Sequence, residues 1–216
     1  MPSGVLAHWA LADPDALLDD LTQEEFDRND GRMPYWATVW PSALSLADAV
    51  LAGPGLAGRR VLDLGCGLGL VGLAALSRGA HVTLLDWEAV AVELARASAW
   101  ASGYGAVEAL ACDWRAPPPL APFDLVLGAD VLYEERNAPG VAAFLASHLA
   151  SGGEAWITDP DRVHAKDFEG VASRAGLAVV SRTPRPPVEG AVSVTCWRLR
   201  RAAEGAPAAG RPAGAG

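Results

Sequence analysis

A strand followed by a glycine-rich loop and a helix is the feature that most constrains the fold of this chain. Residues 61–72 read VLDLGCGLGLVG, in which an apolar run precedes Gly65, Gly67 and Gly69, and a helical pattern follows. Glycines at this spacing let the backbone turn sharply and let a ligand approach the N-terminus of a helix. The segment therefore predicts a ligand-binding turn between a strand and a helix of an α/β domain.

Short apolar runs alternate with amphipathic helical patterns along most of the chain. The runs predict strands over 61–64, 81–85, 107–111, 123–128 and 154–158, and the patterns predict helices over 69–78, 88–102, 138–149 and 166–175. This alternation is typical of a parallel sheet that helices cover on both faces. Two further strands, over 177–183 and 191–199, follow without a helix between them and are expected to pair antiparallel. The predicted fold is α/β: a Rossmann-like, doubly wound, seven-stranded sheet, mostly parallel with an antiparallel edge strand.

Three regions are expected along the chain. Residues 1–58 form a helical segment that packs on the cofactor and substrate cleft, with Asp13-Pro14 starting a helix over 13–30 and an aromatic run, YWATVWP, preceding a second helix over 43–51. Residues 59–201 form the core of the domain. Residues 202–216 contain only Ala, Gly, Pro, Glu and Arg, and this composition predicts a disordered tail.

Charge and composition exclude several classes of protein. The net charge of −9 disfavours attachment to nucleic acid, because an acidic surface repels phosphate backbones. No apolar run approaches the roughly 20 residues of a membrane span, and the first residues lack a positively charged leader. The three cysteines and four histidines show no spacing typical of a metal site. We therefore expect a cytoplasmic monomer that binds neither nucleic acid, membrane nor metal.

Acidic residues end three successive predicted strands. Asp63 lies two residues before the first glycine, where a dinucleotide would place its anionic pyrophosphate, so a cationic ligand suits this position better. S-adenosyl-L-methionine carries a sulfonium and an ammonium group and no phosphate. Asp86 has the spacing of an acid that accepts hydrogen bonds from ribose hydroxyls, and Asp113 is a candidate for the adenine amino group. Trp87 and Trp114, which follow these two acids, offer flat faces for adenine.

Four segments, VLDLGCGLGL, LLDW, ACDW and FDLVLGADVLYE, resemble the successive motifs of class I, seven-strand S-adenosylmethionine-dependent methyltransferases. PYWATVWPSALSLADAVL and GADVLYEE resemble the protein-lysine methyltransferase branch of that superfamily. Within the branch, the chain is most similar to the enzymes that methylate the β subunit of electron transfer flavoprotein. Residues 159–162, Asp-Pro-Asp-Arg, resemble the Asp-Pro-Gly-Arg of that group, with Asp161 in place of glycine.

The resemblance implies S-adenosyl-L-methionine as cofactor and a protein acceptor, with the β subunit of electron transfer flavoprotein as a candidate. Asp130 and Tyr133, in Asp-x-x-Tyr after the fourth strand, are the predicted catalytic residues. An apolar, aromatic channel lowers the pKa of an amine by desolvation, and a carboxylate can orient the incoming ammonium and help pass its proton to water. Trp36 is compatible with either the cleft or core packing. The predicted cofactor-binding residues are Trp40, Asp63, Gly65, Gly67, Gly69, Asp86, Trp87, Asp113, Trp114 and Ala129.

Several alternatives remain open at this stage. The acceptor can be a small-molecule amine or another protein side chain. A nucleic-acid or glutamine-amide methyltransferase is disfavoured because Ala-Asp-Val-Leu-Tyr stands where those families usually have Asn/Asp-Pro-Pro-Tyr/Phe. A nicotinamide-dinucleotide oxidoreductase is compatible with Gly67, Gly69, Gly72 and Asp86 but must tolerate Asp63. A non-catalytic binding protein is also compatible with the sequence.

Overall fold

The computed structural model describes residues 7–19, 22, 24, 27, 33–186 and 192–202. The strands are β1 (Arg60–Leu64), β2 (His81–Asp86), β3 (Glu108–Ala111), β4 (Phe123–Ala129), β5 (Leu149–Asp159), β6 (Leu177–Arg185) and β7 (Val194–Arg201). The helices are α1 (Pro14–Asp19), α2 (Pro41–Ala52), α3 (Leu70–Ser77), α4 (Ala89–Ala101), α5 (Asn137–His148) and α6 (Phe168–Arg174). Two short 3₁₀ turns span Tyr35–Ala37 and Val163–Ala165.

All seven strands belong to one sheet, in the order β3-β2-β1-β4-β5-β7-β6. The strands from β3 to β5 in this order pair in parallel, whereas β7 pairs antiparallel with both β5 and β6. The predicted fold class is therefore confirmed. The reversed strand is β7, which lies between β5 and β6, because β6 and β7 follow each other without a crossover helix and must run in opposite directions.

The central strands are apolar because both of their faces are covered. Val61 and Leu125 pack on one side of the sheet in a cluster with residues of α2 and α3, whereas Leu62 and Val126 pack on the other side with residues of α5 and α6. Successive side chains of a strand point to opposite faces, so an uninterrupted apolar run is what a sheet covered on both sides requires.

The chain order reverses between β1 and β4. From β1 the chain continues to β2 and then to β3, on one side of β1. It then returns to the other side of β1, where β4 pairs with β1 and Leu125 lies beside Val61. Helices on either side of such a switch point diverge and leave a crevice at the carboxyl ends of the strands. The segments that follow β1 and β4 are the glycine loop and the segment beginning with Asp130.

The N-terminal region is described only in part. Pro14 begins α1, and Asp13 Oδ1 accepts a hydrogen bond from the Ala16 amide at 3.2 Å, as expected of a residue that caps a helix. Most of the helix predicted over 13–30 beyond Asp19 lies outside the described residues, as does the predicted tail from residue 203 onward. Across the described ranges, no helix has both the length and the apolar character needed to cross a bilayer.

Candidate active site

A cavity of about 610 Å³ lies at the carboxyl ends of β1 and β4. Its walls come from the glycine loop, the segments after β2 and β4, residues 33–43 and the turn after β5. Apart from Gly69 and Asp113, the site residues predicted from the sequence all line this cavity: Trp40, Asp63, Gly65, Gly67, Asp86, Trp87, Trp114, Ala129, Asp130 and Tyr133. The fold thus brings residues from distant parts of the chain to one place.

The glycine loop forms the floor of the cavity. Gly65 and Gly67 have φ values of +66° and +49°, in the left-handed region that side chains rarely adopt. A Cβ atom on Gly65 would lie 2.9 Å from Val131 Cγ1, and one on Gly67 would lie 3.3 Å from the Trp36 carbonyl oxygen. Both positions therefore require glycine, because of the backbone conformation and because of the close neighbours. The absence of side chains also keeps the loop from filling the cavity.

Gly69 lies at the start of α3, where it packs against α4 rather than lining the cavity. Its φ is +82°, and a Cβ atom there would lie 2.6 Å from Ala95 Cβ. The close approach of the loop to α4 accounts for a glycine at this position without a ligand. Its role in cofactor binding stays a prediction.

The buried carboxylates of Asp63 and Asp86 lie beside the glycine loop. Asp63 Oδ2 accepts a hydrogen bond from the Gly72 amide at 2.7 Å, and Asp86 Oδ2 accepts one from the Gly67 amide at 2.8 Å. Burial, opposed by the Gly72 hydrogen bond and reinforced by the charge of Asp86, raises the pKa of Asp63 to about 7. A pyrophosphate here would meet two acidic side chains, whereas a cation would relieve their repulsion.

Asp113 and Trp114 follow β3 and point in different directions. The Asp113 carboxylate accepts hydrogen bonds from the Arg115 amide at 2.8 Å and from the Arg115 guanidinium at 2.6 Å. Trp114 lines the cavity, and its ring also approaches Gly65 and Gly140. A contact of Asp113 with adenine stays a prediction, since the structure places this carboxylate against its neighbour two residues away.

Asp130 is held in an unusual conformation at the end of β4. Its φ is +57°, which costs a residue with a side chain about 1–2 kcal/mol, and its amide donates to the Thr158 carbonyl at 2.8 Å. The side chain is buried, with a relative exposure of 6%. Oδ1 accepts a hydrogen bond from Arg162 Nε at 2.6 Å, whereas Oδ2 has no hydrogen-bond donor among the described residues. Strained backbone that presents a buried polar atom is typical of a functional site.

Three aromatic rings line the same cavity as this carboxylate. Tyr35 makes edge-to-face contacts with Trp40 and with Tyr133, at centroid distances of 5.8 and 5.5 Å. Trp40 Nε1 donates to the Tyr35 carbonyl at 2.9 Å, which fixes the orientation of the indole. The rings form an apolar wall beside an acid, an arrangement suited to a cationic or amine ligand.

Arg162 and Tyr35 are cavity residues that the sequence did not single out as site residues. The Arg162 guanidinium lies over the Trp40 ring at 5.4 Å, and its hydrogen bond with Asp130 raises the pKa of Arg162. The sequence feature that pointed to Arg162 was its position in the Asp-Pro-Asp-Arg segment, residues 159–162. Tyr35 lay in the aromatic run, but nothing local indicated which of its rings would face the cavity.

The strand order, the glycine loop and the acidic cavity at the switch point define a class: doubly wound α/β proteins that bind a nucleoside-like ligand without relying on phosphate contacts. The magnesium protoporphyrin IX methyltransferase ChlM of Synechocystis PCC 6803, solved with bound SAM, shares the fold. Its TM-score is 0.63 at 19% identity, and the alignment covers 89% of this chain and 99% of that one. Residues 56–183 match the family described as Methyltransferase domain, and the chain belongs to this family.

Two curated relatives are similar to more than half of the chain. The protein N-lysine methyltransferase METTL21A of Danio rerio is 36% identical over 129 residues, covering 56% of this chain and 58% of the relative. The electron transfer flavoprotein beta subunit lysine methyltransferase of Danio rerio is 32% identical over 137 residues, covering 62% of this chain and 53% of the relative. The matched part thus spans little more than half the length of each of these relatives.

Proposed function

We propose that this protein transfers a methyl group from S-adenosyl-L-methionine to a lysine side chain of a protein. The observation that carries the proposal is the buried Asp130 carboxylate. Its Oδ2 atom has no donor among the described residues, and Asp130 lines the same cavity as the glycine loop. Family membership and the similarity to two lysine methyltransferases support the same reaction.

The cavity fits the proposed cofactor. A volume of about 610 Å³ lies within the range of small-molecule sites, and carboxylates rather than basic side chains flank the glycine loop. Asp63 and Asp86 would hold the cationic and hydroxyl-bearing parts, and Trp87 and Trp114 would flank the base. When bound, S-adenosyl-L-methionine supplies a methyl group whose transfer to an amine breaks the carbon–sulfur bond and leaves the bonding pair on sulfur.

The residues around Asp130 would prepare the acceptor. A lysine side chain has an unperturbed pKa of about 10.4, so it enters mostly as an ammonium and must lose a proton before its nitrogen can act as a nucleophile. The rings of Tyr35, Trp40 and Tyr133, of which the first contacts the other two, would exclude water from a bound side chain and favour the neutral amine. Asp130 Oδ2 would accept a hydrogen bond from the nitrogen, orient its lone pair and help pass the proton to water.

The β subunit of electron transfer flavoprotein is our first candidate acceptor. The support is the similarity to the Danio rerio enzyme that methylates it and the likeness of the segments around Trp40 and Asp130 to that group. A small-molecule amine or another protein side chain would use the same acid and rings, so the acceptor has to be identified by experiment.

Label transfer tests the proposal directly. Purified protein is incubated with methyl-labelled S-adenosyl-L-methionine and either the candidate subunit or a lysate, and labelled bands are analysed by mass spectrometry. We expect methyl-lysine in a discrete band, and a loss of about 100-fold or more with Asp130→Asn, because the amide cannot accept the proton. Asp167→Asn is the matched control, since Asp167 forms an exposed ion pair with Arg174 on α6.

The other outcomes identify the alternatives. Label confined to small molecules would replace the protein acceptor with a metabolite, and label on arginine or histidine would change the side chain. Binding of the cofactor without transfer to any acceptor, by wild type and Asp130→Asn alike, would contradict the catalytic role of Asp130.

A further inference from the structure

We propose that Arg162 is a positioning residue for methyl transfer, which holds one oxygen of the Asp130 carboxylate so that the other faces the acceptor amine. The inference rests on the proposed function. Arg162 acts through Asp130 and not on the reacting atoms, and its contacts identify it independently of any motif.

The two Asp130 oxygens have different surroundings. Oδ1 is 2.6 Å from Arg162 Nε, the distance of a strong, charge-assisted hydrogen bond. Oδ2 is buried and has no donor in the part of the chain that the structure describes. A carboxylate with one oxygen held by a guanidinium and the other without a donor can accept an N–H from an amine that enters the cavity. The geometry therefore assigns one oxygen to Arg162 and the other to the acceptor.

The turn after β5 positions the Arg162 guanidinium beside Asp130. Asp159 Oδ1 accepts a hydrogen bond from the Arg162 amide at 2.6 Å and closes the turn. Asp161 has a φ of +59°, and its Oδ1 accepts a hydrogen bond from Thr195 Oγ1 at 2.9 Å. The guanidinium carbon also lies 5.4 Å from the centre of the Trp40 ring. Contacts from β5 and β7 thus hold the backbone of the turn and Asp161, and the N-terminal segment contacts the guanidinium itself.

The charge of Arg162 also acts on the acceptor. A guanidinium beside Asp130 repels an ammonium and favours the neutral amine that can accept a methyl group. Asp130 and Asp159 partly offset that charge, and burial raises the pKa of Asp159 to about 6. Among the described residues, the charged or titratable groups nearby also include Asp161, Tyr35, Tyr133, Glu134, Asp63, Asp86 and Arg182, which pairs with Asp161.

Two substitutions separate the hydrogen bond from the charge. Arg162→Gln removes both, and we expect kcat to fall about 10- to 100-fold, with the pH profile of kcat shifted about one unit upward. Arg162→Lys keeps the charge but loses the planar fork, so kcat falls while the pH profile stays close to that of the wild type. Binding of S-adenosyl-L-homocysteine, measured by calorimetry, should change less than threefold in both. Arg174→Gln, which breaks the exposed pair with Asp167, is the matched control and should leave all three readouts unchanged.

A folding measurement tests the same contact without activity. Midpoints of urea unfolding are compared for the wild type, Arg162→Gln, Asp130→Asn and the double variant. We expect the double variant to shift less than the two single variants together, because each single change already breaks the Nε–Oδ1 bond. Additive shifts would overturn the inference.

Failure of the inference and failure of the proposed function give different results. An active wild type whose kcat and pH profile are matched by Arg162→Gln would overturn the positioning role and leave the function in place. A wild type that binds the cofactor but methylates no lysine would refute the function and with it the role of Arg162 in transfer. Should Arg162→Gln fail to fold, Arg162→Lys decides the case by its kcat alone.

Discussion

Replacing Gly69 by alanine tests how the glycine loop is joined to the neighbouring helix. Two costs follow from the structure. An alanine at a φ of +82° is strained by about 1–2 kcal/mol, and a Cβ atom 2.6 Å from Ala95 Cβ forces a buried contact apart for about 1–3 kcal/mol more. We expect Gly69→Ala to lower the free energy of unfolding by about 2–5 kcal/mol, a large part of the stability of a typical domain.

Gly176→Ala provides a matched control for this prediction. Gly176 has nearly the same φ, +81°, but a Cβ atom there would meet nothing within 4 Å. Its replacement should therefore cost only the strain, about 1–2 kcal/mol. The difference between the two variants, measured by urea denaturation at constant pH, isolates the contact with α4.

Ala95→Gly supplies a second check. It removes the nearest atom that the alanine Cβ at position 69 would meet and leaves Ala95 Cα at 3.1 Å. The substitution itself costs about 1 kcal/mol in a helix, but the additional cost of Gly69→Ala should shrink in its presence. Equal losses for Gly69→Ala and Gly176→Ala, combined with weaker cofactor binding by Gly69→Ala, would refute the packing explanation and favour a direct role in binding.

Two further predictions concern carboxylates of the site. Asp86→Ala should weaken the affinity for S-adenosyl-L-homocysteine about 10- to 100-fold by calorimetry, because a charge-assisted acceptor is worth about 1.5–3 kcal/mol; an unchanged affinity would remove Asp86 from the site. The raised pKa values of Asp63, about 7, and Asp159, about 6, mean that the folded protein binds these protons more tightly than the unfolded chain. Their stabilising contribution is therefore present below the ordinary pKa of 3.8 and declines as the pH rises toward these values. In urea unfolding measured between pH 3.8 and about 6, Asp159→Asn should reduce the fall of the unfolding free energy with rising pH. An unaltered dependence on pH would contradict the raised pKa of Asp159.

The parts of the site that the sequence predicted are those encoded locally. A strand, a glycine loop and a helix occupy adjacent residues, so their pattern predicts their geometry. Asp63, Asp86 and Asp130 lie at or just after the carboxyl ends of strands. A parallel sheet places those ends at one edge, and the observed neighbours β2, β1 and β4 bring the three residues together.

The parts that could not be predicted depend on contacts between distant residues or on rotamers. Arg162 meets Asp130 because β5 lies beside β4 and the turn after β5 bends back toward it. The packing role of Gly69 depends on Ala95, which belongs to a different helix. Asp113 sits at the expected strand end, but its direction is decided by the competing Arg115 guanidinium. No periodicity or spacing in the sequence specifies these choices.

Asp161 shows how a departure from a family pattern can preserve its geometry. The resemblance implies glycine at this position, and the φ of +59° is a conformation that glycine adopts freely. Aspartate is among the side chains that tolerate it best, and here the hydrogen bond from Thr195 offsets part of the strain. With aspartate at this position, the turn still has a backbone conformation in which Arg162 reaches Asp130. What the substitution adds is a negative charge 3.5 Å from Arg182. The departure therefore changes the charge next to Arg162, whereas the backbone keeps a conformation that glycine also adopts.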